Sequence, residues 1–277
     1  MPVSAADPSF DPPVGPSGDW ADLVQQRAVT ATRQDLVLPR DLLRALDRMA
    51  LQCCAQKQGQ GKSPGRGVSA LFTGPRGTGK TLAAEVLAHE AGLDFRRIGL
   101  SRLINRQIGE TEKNLARLFA AGAALLLFDE ADALFARRGE VAGAQDRFAN
   151  GAADYLLRRL DDYSGIVILT ADTRSHLDSA FQRRLGFILD FPFPDPAQRA
   201  AIWRRIFPPD TPVEGLDPER LARLPLTGAD IRDIARSAAM LAAEEGQPVR
   251  MAHLLRAAVR QCARLNLPID LAAIARP

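Results

Sequence analysis

The sequence predicts an α/β protein: a five-stranded parallel sheet covered by helices, followed by a small all-helical domain. Three observations carry this expectation. Short apolar runs alternate with stretches of helical spacing between residues 68 and 191, the pattern of parallel strands joined by crossover helices. The segment Phe191-Pro-Phe-Pro-Asp-Pro196 then stops regular structure with three prolines in five residues. Beyond it only helical spacing recurs.

The elements follow in order. Met1–Asp19 holds Pro2, Pro8, Pro12, Pro13 and Pro16 and few apolar side chains, so it builds neither a helix nor a central strand. Residues 1–34 are expected to form a Pro-rich flexible N-terminal tail, with Trp20 as an anchor; an extended arm across a neighbouring subunit is the alternative. From Asp35 the pattern changes. Leu42, Leu43, Leu46, Met49 and Ala50 recur at helical spacing behind Asp41, the expected cap. Gln56–Gly67 reads as a polar loop.

Strand candidates are Val68–Thr73, Phe95–Ile98, Ala124–Phe128, Ile166–Thr170 and Phe187–Phe191, with helices over Thr81–Ala91, Thr111–Ala121 and Asn150–Leu160. After the proline break, Ala197–Phe207, Pro218–Leu224, Ala229–Ala243 and Met251–Asn266 are helical. Residues 35–195 are thus expected to be one α/β domain and residues 196–277 a helical one.

Composition excludes several classes. With 277 residues, 46% of them hydrophobic and 25% charged, the chain can bury a sizeable core. Thirty-six basic and 33 acidic residues leave a net charge of +3, too little to argue for nucleic acid. The longest uncharged apolar run, Phe119–Phe128, is about half a bilayer span, and residues 1–20 lack the basic start and apolar stretch of a secretory signal. Cys53, Cys54 and Cys262 have neither zinc spacing nor the makings of a disulfide framework. Cys53 and Cys54 read as small apolar helix residues, and Trp203 as core. A cytoplasmic protein without a membrane partner is expected.

Two motifs carry chemistry. Gly74-Pro-Arg-Gly-Thr-Gly-Lys-Thr81 fits G-x-x-x-x-G-K-[ST] between a strand and a helix, the context that gives the spacing its meaning. The loop of Gly74, Pro75, Arg76, Gly77, Thr78 and Gly79 would bind the phosphates, its glycines letting backbone N–H groups wrap them without a Cβ in the way, helped by the positive end of the following helix. Lys80 would reach the β- and γ-phosphates and the Thr81 hydroxyl would hold Mg²⁺, so ATP and Mg²⁺ are the expected cofactors. In Leu125-Leu-Leu-Phe-Asp-Glu-Ala-Asp132, an apolar strand delivers Asp129 to its carboxyl end, where α/β sheets bind ligands. Asp129 would help hold the metal and Glu130 would polarise the attacking water. Alternatively, both acids merely begin a helix, where the dipole favours them.

With these motifs and Val167–Arg184, the sequence resembles the AAA branch of the AAA+ ATPases, a class of P-loop NTPases, from about Asp35 to Asn266. The resemblance implies a strand order of 5-1-4-3-2 and a hexameric ring that remodels or disassembles a protein assembly, its substrate or adaptor being a protein. It places Asp172 at the sensor position, normally Asn, that touches the γ-phosphate and water. It makes Arg183 and Arg184 the pair that reaches a neighbour's nucleotide; two surface arginines are the alternative. It sets Gly228 and Ala229, within Leu226–Ile231, in the lid segment over base and ribose.

Asp35-Leu-Val-Leu-Pro39, Ile108–Asn114, Ala133-Leu-Phe135 and Phe191–Asp195 look closest to the single-module ATPases encoded with bacterial contractile injection systems. Gln107 departs from the family's pore-facing aromatic, Asp172 departs from Asn, and Leu185-Gly-Phe187 lacks a further arginine. Gln145–Phe148 and Asn150 look like the second pore segment or an ordinary polar loop. Arg174 could offset the Asp172 charge. A nucleotide-gated scaffold with weak hydrolysis is the rival reading. A DNA-associated motor is disfavoured by the small net charge.

Overall fold

The computed structural model describes residues 24–26, 29–57, 67–100, 110–132, 155–160, 162–173 and 183–266. Its strands are Val24–Gln26 (β1), Val68–Thr73 (β2), Phe95–Gly99 (β3), Leu125–Asp129 (β4), Ile166–Ala171 (β5) and Phe187–Asp190 (β6). They form one sheet in the order β1-β3-β4-β5-β2-β6. The five strands from β2 onward pair in parallel, in the order that the resemblance implies.

The sixth strand corrects the expectation of five. β1 pairs antiparallel with β3, Val24 opposite Ile98, and lies in the segment read as tail. An edge strand bonds through its main chain, so it needs little apolar patterning, and it covers an edge that β3 would otherwise expose.

The helices are Arg40–Lys57 (α1), Lys80–Ala91 (α2), Glu110–Ala120 (α3), Pro196–Arg205 (α4), Pro218–Leu221 (α5), Gly228–Glu244 (α6) and Met251–Arg264 (α7), with a further helical stretch at 155–160. α1 begins one residue before Asp41, so Asp41 sits in its first turn and is not the cap expected.

The apolar run in β4 reads as continuous because both faces of the sheet are covered. Leu126 and Phe128 pack with Leu115 and Leu118 of α3. Leu125 and Leu127 enter the opposite core with Met49 of α1 and Leu87 of α2. Successive side chains of a strand alternate faces, so one run serves two cores. Both cores leave the carboxyl ends of β2, β4 and β5 side by side.

A third core, around Trp203, Ile231 and Leu254, belongs to the helices after the proline break. The break is tied down by charge as well as by proline stiffness. The buried Arg199 of α4 donates to Pro194 O (2.6 Å) and Ala222 O (2.8 Å). Asp195 caps α4, accepting from Gln198 N–H at 2.7 Å, with Pro196 at the first helical position. Cys53 and Cys262 are buried, and Trp203 is core. Trp20, Gln107, Gln145–Asn150 and Arg174 lie outside the described residues.

Candidate active site

Gly74 leaves β2 with φ +131°, and a Cβ there would sit 2.1 Å from Phe191 O. Only glycine lets the loop pass this close to the proline segment. The loop then turns into α2, whose first residue is Lys80. Lys80 is buried, and its ammonium donates to Gly74 O and, at 3.1 Å, to Pro75 O. Burial pulls its pKa below the ordinary value, while the charges of Asp172, Asp129 and Asp132 hold it up. An anionic ligand would favour the charged form further.

The loop borders a cleft of about 940 Å³. Arg76 to Thr81, Asp129, Glu130, Asp172, Gly228 and Ala229 all line it. Gly74 and Pro75 do not line it; their carbonyls accept from the Lys80 ammonium. Arg183 and Arg184 do not line it; they are exposed, in the turn before β6.

The acids are arranged by β4 and β5. Thr170 of β5, 1% exposed, donates its hydroxyl to Asp129 Oδ1 and accepts the N–H of Glu130 at 3.3 Å. The other oxygen of Asp129 takes two donors from Arg97 of β3, Nε at 2.9 Å and Nη2. Burial raises the Asp129 pKa, but the hydrogen bonds from Thr170 and Arg97 and the Arg97 charge outweigh it and hold the carboxyl below its usual range. Glu130 follows with φ +61°, a left-handed conformation uncommon for a residue with a side chain. Such outliers gather where geometry is dictated by a site.

Asp172, just past β5, completes the group. Its N–H donates to Asp132 Oδ2 at 2.9 Å. Its carboxylate lies 3.7 Å from the Lys80 ammonium and 3.4 Å from Arg76 Nε, and Arg76 Nη2 lies 3.2 Å from Glu130 Oε1.

The helical segment after the proline break touches the loop directly. Thr227 caps α6 with Asp230 in a reciprocal box. The N–H of Ala229, one of the helix-start donors without an intrahelical acceptor, donates to Gly77 O at 3.2 Å. Val29, Thr30, Ala31 and Leu36 to Leu38 form another wall, with Ile202 and Ile206 of the lid. This is an apolar surface suited to a flat ring. Sequence reasoning missed Arg97, Thr170, Asp132 and this wall. Thr170 had a signal, because it points to the same side of its strand as Asp172 two residues on.

The site fits a magnesium nucleotide. The Cβ of a residue at Gly79 would meet nothing within 4 Å, so the loop faces open cleft. Thr81 and Asp129 both border that cleft, and Mg²⁺ in such sites takes only one or two protein oxygens beside phosphates and waters.

Comparison with known proteins agrees. The model of the "ATPase family associated with various cellular activities (AAA)" matches residues 70–193. Human "ATPase family gene 2 protein homolog A" is 35% identical over 198 residues, 67% of this chain and 22% of that protein. "ATP-dependent zinc metalloprotease FtsH 3" of Sphaerobacter thermophilus is 34% identical over 194 residues, 65% of this chain and 39% of that protein. "Proteasome-activating nucleotidase" of Methanopyrus kandleri is 32% identical over 201 residues, 68% and 46%. The chain thus spans less than half the length of these relatives.

Proposed function

Residues 70–193 carry an AAA-family ATPase domain with the P-loop α/β fold, and from that premise we propose that the chain binds Mg–ATP and hydrolyses it to ADP and phosphate. One observation carries the reading: Lys80, Thr81, Asp129, Glu130 and Asp172, from three places along the chain, line one cleft at the carboxyl ends of β2, β4 and β5.

Each residue has a task. Backbone N–H groups of Gly77 to Lys80 and the start of α2 hold the phosphates. Lys80 leaves its carbonyl partners for the β- and γ-phosphates. Thr81 and Asp129 would hold Mg²⁺, which when bound draws charge from phosphate oxygens. Glu130 accepts hydrogen from the attacking water, and Asp172 faces the terminal phosphate. Gly228 and Ala229 bring the lid over base and ribose.

The reading extends to assembly. Arg183 and Arg184, exposed and away from their own cleft, suit donation to a neighbour's nucleotide in a homo-oligomeric ring, a hexamer by resemblance. The work is remodelling of a protein assembly; one relative is named for activating a proteasome and another as an ATP-dependent protease. No described helix is long and apolar enough to cross a membrane, and the cytoplasm is the proposed compartment. The finer resemblance, to single-module ATPases encoded with contractile injection systems, is tested by gene neighbourhood.

A second reading has its own observation. Asp129 is already engaged by Arg97 and Thr170, which favours a slow ATPase that works as a nucleotide-gated scaffold. Turnover per subunit beside nucleotide-dependent assembly separates the two. For nucleotide binding itself, calorimetry with ADP and Mg²⁺ on the parent and on Lys80→Ala is decisive: the parent binds and the variant does not. A parent without affinity for ADP or ATP would sink the proposal.

A further inference from the structure

We propose that Arg76 is a positioning residue that neutralises Asp172 and so allows an aspartate to stand where a terminal phosphate must bind. The inference rests on the proposed function, in which Asp172 faces the γ-phosphate. It assigns to this loop position a side-chain role that the loop spacing does not require, since the spacing leaves the position open.

The geometry makes the case. Asp172 presents each carboxylate oxygen to a different cation: Oδ1 to Lys80 Nζ at 3.7 Å and Oδ2 to Arg76 Nε at 3.4 Å. The Asp172 backbone is held by Asp132 at 2.9 Å, which limits its freedom to turn away. Arg76 also reaches Glu130 Oε1 at 3.2 Å. A planar guanidinium can engage two carboxylates at once, which a lysine ammonium on a flexible stem does less well.

Charge counting shows why this matters. Asp129, Glu130, Asp132 and Asp172 line the cleft with Asp35 and Glu85, beside Lys80, Arg76, Arg97, Arg205 and Arg232, six acids against five cations. Arg97 is committed to Asp129, and Lys80 is the phosphate lysine of the loop. Remove Arg76, and Glu130 and Asp172 face an incoming triphosphate with less compensation. A diphosphate, which lacks the terminal group, feels the change less.

Both Arg76 and Asp172 are well exposed, at 76% and 51% of side-chain surface, so the substitutions leave the core intact and the effect is a screened one. The test is a double-mutant cycle on the full chain: parent, Arg76→Ala, Asp172→Asn and the double variant. Equilibrium affinities are measured with Mg²⁺ for ADP and for a non-hydrolysable ATP analogue. Arg76→Ala should reduce the preference for the triphosphate by roughly fivefold, the scale of a screened ion pair. Adding Asp172→Asn should recover most of that loss, and Arg76→Lys should lose less than Arg76→Ala.

An Arg76→Ala loss of equal size in both backgrounds would mean that Arg76 acts on the phosphate and not through Asp172, and would overturn the inference. No loss at all would overturn it too. A parent that binds neither nucleotide would overturn this inference together with the proposed function, whereas a parent that binds both with no coupling overturns this inference alone.

Discussion

Arg97 Nε donates to Asp129 Oδ2 at 2.9 Å, and Arg97 Nη2 donates to the same oxygen. The two residues come from adjacent parallel strands in which Gly99 stands opposite Asp129. Arg97 thus reaches the aspartate from two residues further back on β3. With Thr170 on the other oxygen, the metal carboxylate of the proposed site is engaged on both sides.

A cation that binds Asp129 must therefore compete with a guanidinium. Arg97→Ala should lower the Mg²⁺ concentration needed for half-maximal nucleotide binding by roughly fivefold, since charge-assisted pairs of this kind are worth about 1–3 kcal/mol and partial exposure screens them. Titration of Mg²⁺ at fixed nucleotide measures it. A higher Mg²⁺ requirement would show instead that Arg97 orients Asp129 for the metal.

Thr170 organises both acids through one hydroxyl, donating to Asp129 and accepting from Glu130 N–H. Thr170→Val keeps the branched shape in a buried strand and deletes that hydroxyl. Turnover should fall at least about tenfold, with stability reduced by about 1–3 kcal/mol for polar groups left without a partner. Steady-state kinetics beside thermal melting would check it. Unchanged turnover would mean that Asp129 and Glu130 keep their geometry without Thr170.

Gly77 joins the loop to the lid. It has φ +81°, and a Cβ on it would lie 2.4 Å from Thr227 Oγ1 and 3.0 Å from Ala229 Cβ. Gly77→Ala therefore strains the backbone and pushes at the cap of α6, against the Ala229–Gly77 hydrogen bond. A cost of about 1–3 kcal/mol is expected, with faster proteolysis at residues 192–195 as the lid loosens. Gly79→Ala, with φ +103° and open space around it, should leave the lid seated while weakening phosphate binding. Equal proteolysis of the two variants would refute this division of roles.

Much of this was legible in the chain. β4 shows itself because both of its faces are buried, so Leu125 to Phe128 form an unbroken apolar run. The phosphate loop shows itself because its backbone path demands glycines and its chemistry demands Lys80. β1 stays hidden: Val24–Gln26 has one apolar residue, and an edge strand is held by main-chain bonds that leave no side-chain pattern. Arg97 stays hidden for a different reason, since within Arg96-Arg97 it reads as one of many arginines until strand register brings it to Asp129. Arg76 sits in a position that the loop spacing leaves open, so its reach to Asp172 is a tertiary fact. The sequence offers Arg174, outside the described residues, as a neighbour of Asp172; the fold also brings Arg76 there, from 96 residues away.

The remaining prediction concerns Arg184. It is exposed in the turn before β6 and does not border its own cleft, so on the proposed reading it acts on a neighbour's nucleotide. A guanidinium supplied this way is worth roughly 10³–10⁵ in phosphoryl-transfer rate where it has been measured. Arg184→Ala alone should therefore be nearly inactive while binding nucleotide, and so should Glu130→Gln, which lacks the base. Mixed rings contain some interfaces where an intact Glu130 meets an intact Arg184 from the next subunit. Activity should then return on mixing, to at most about a quarter of the parent at equal amounts if subunits mix at random and interfaces act independently. Mixed assembly is verified first with two differently tagged chains. Verified mixed rings without activity would remove Arg184 from the trans role. Full activity of Arg184→Ala by itself would leave it as one more surface arginine.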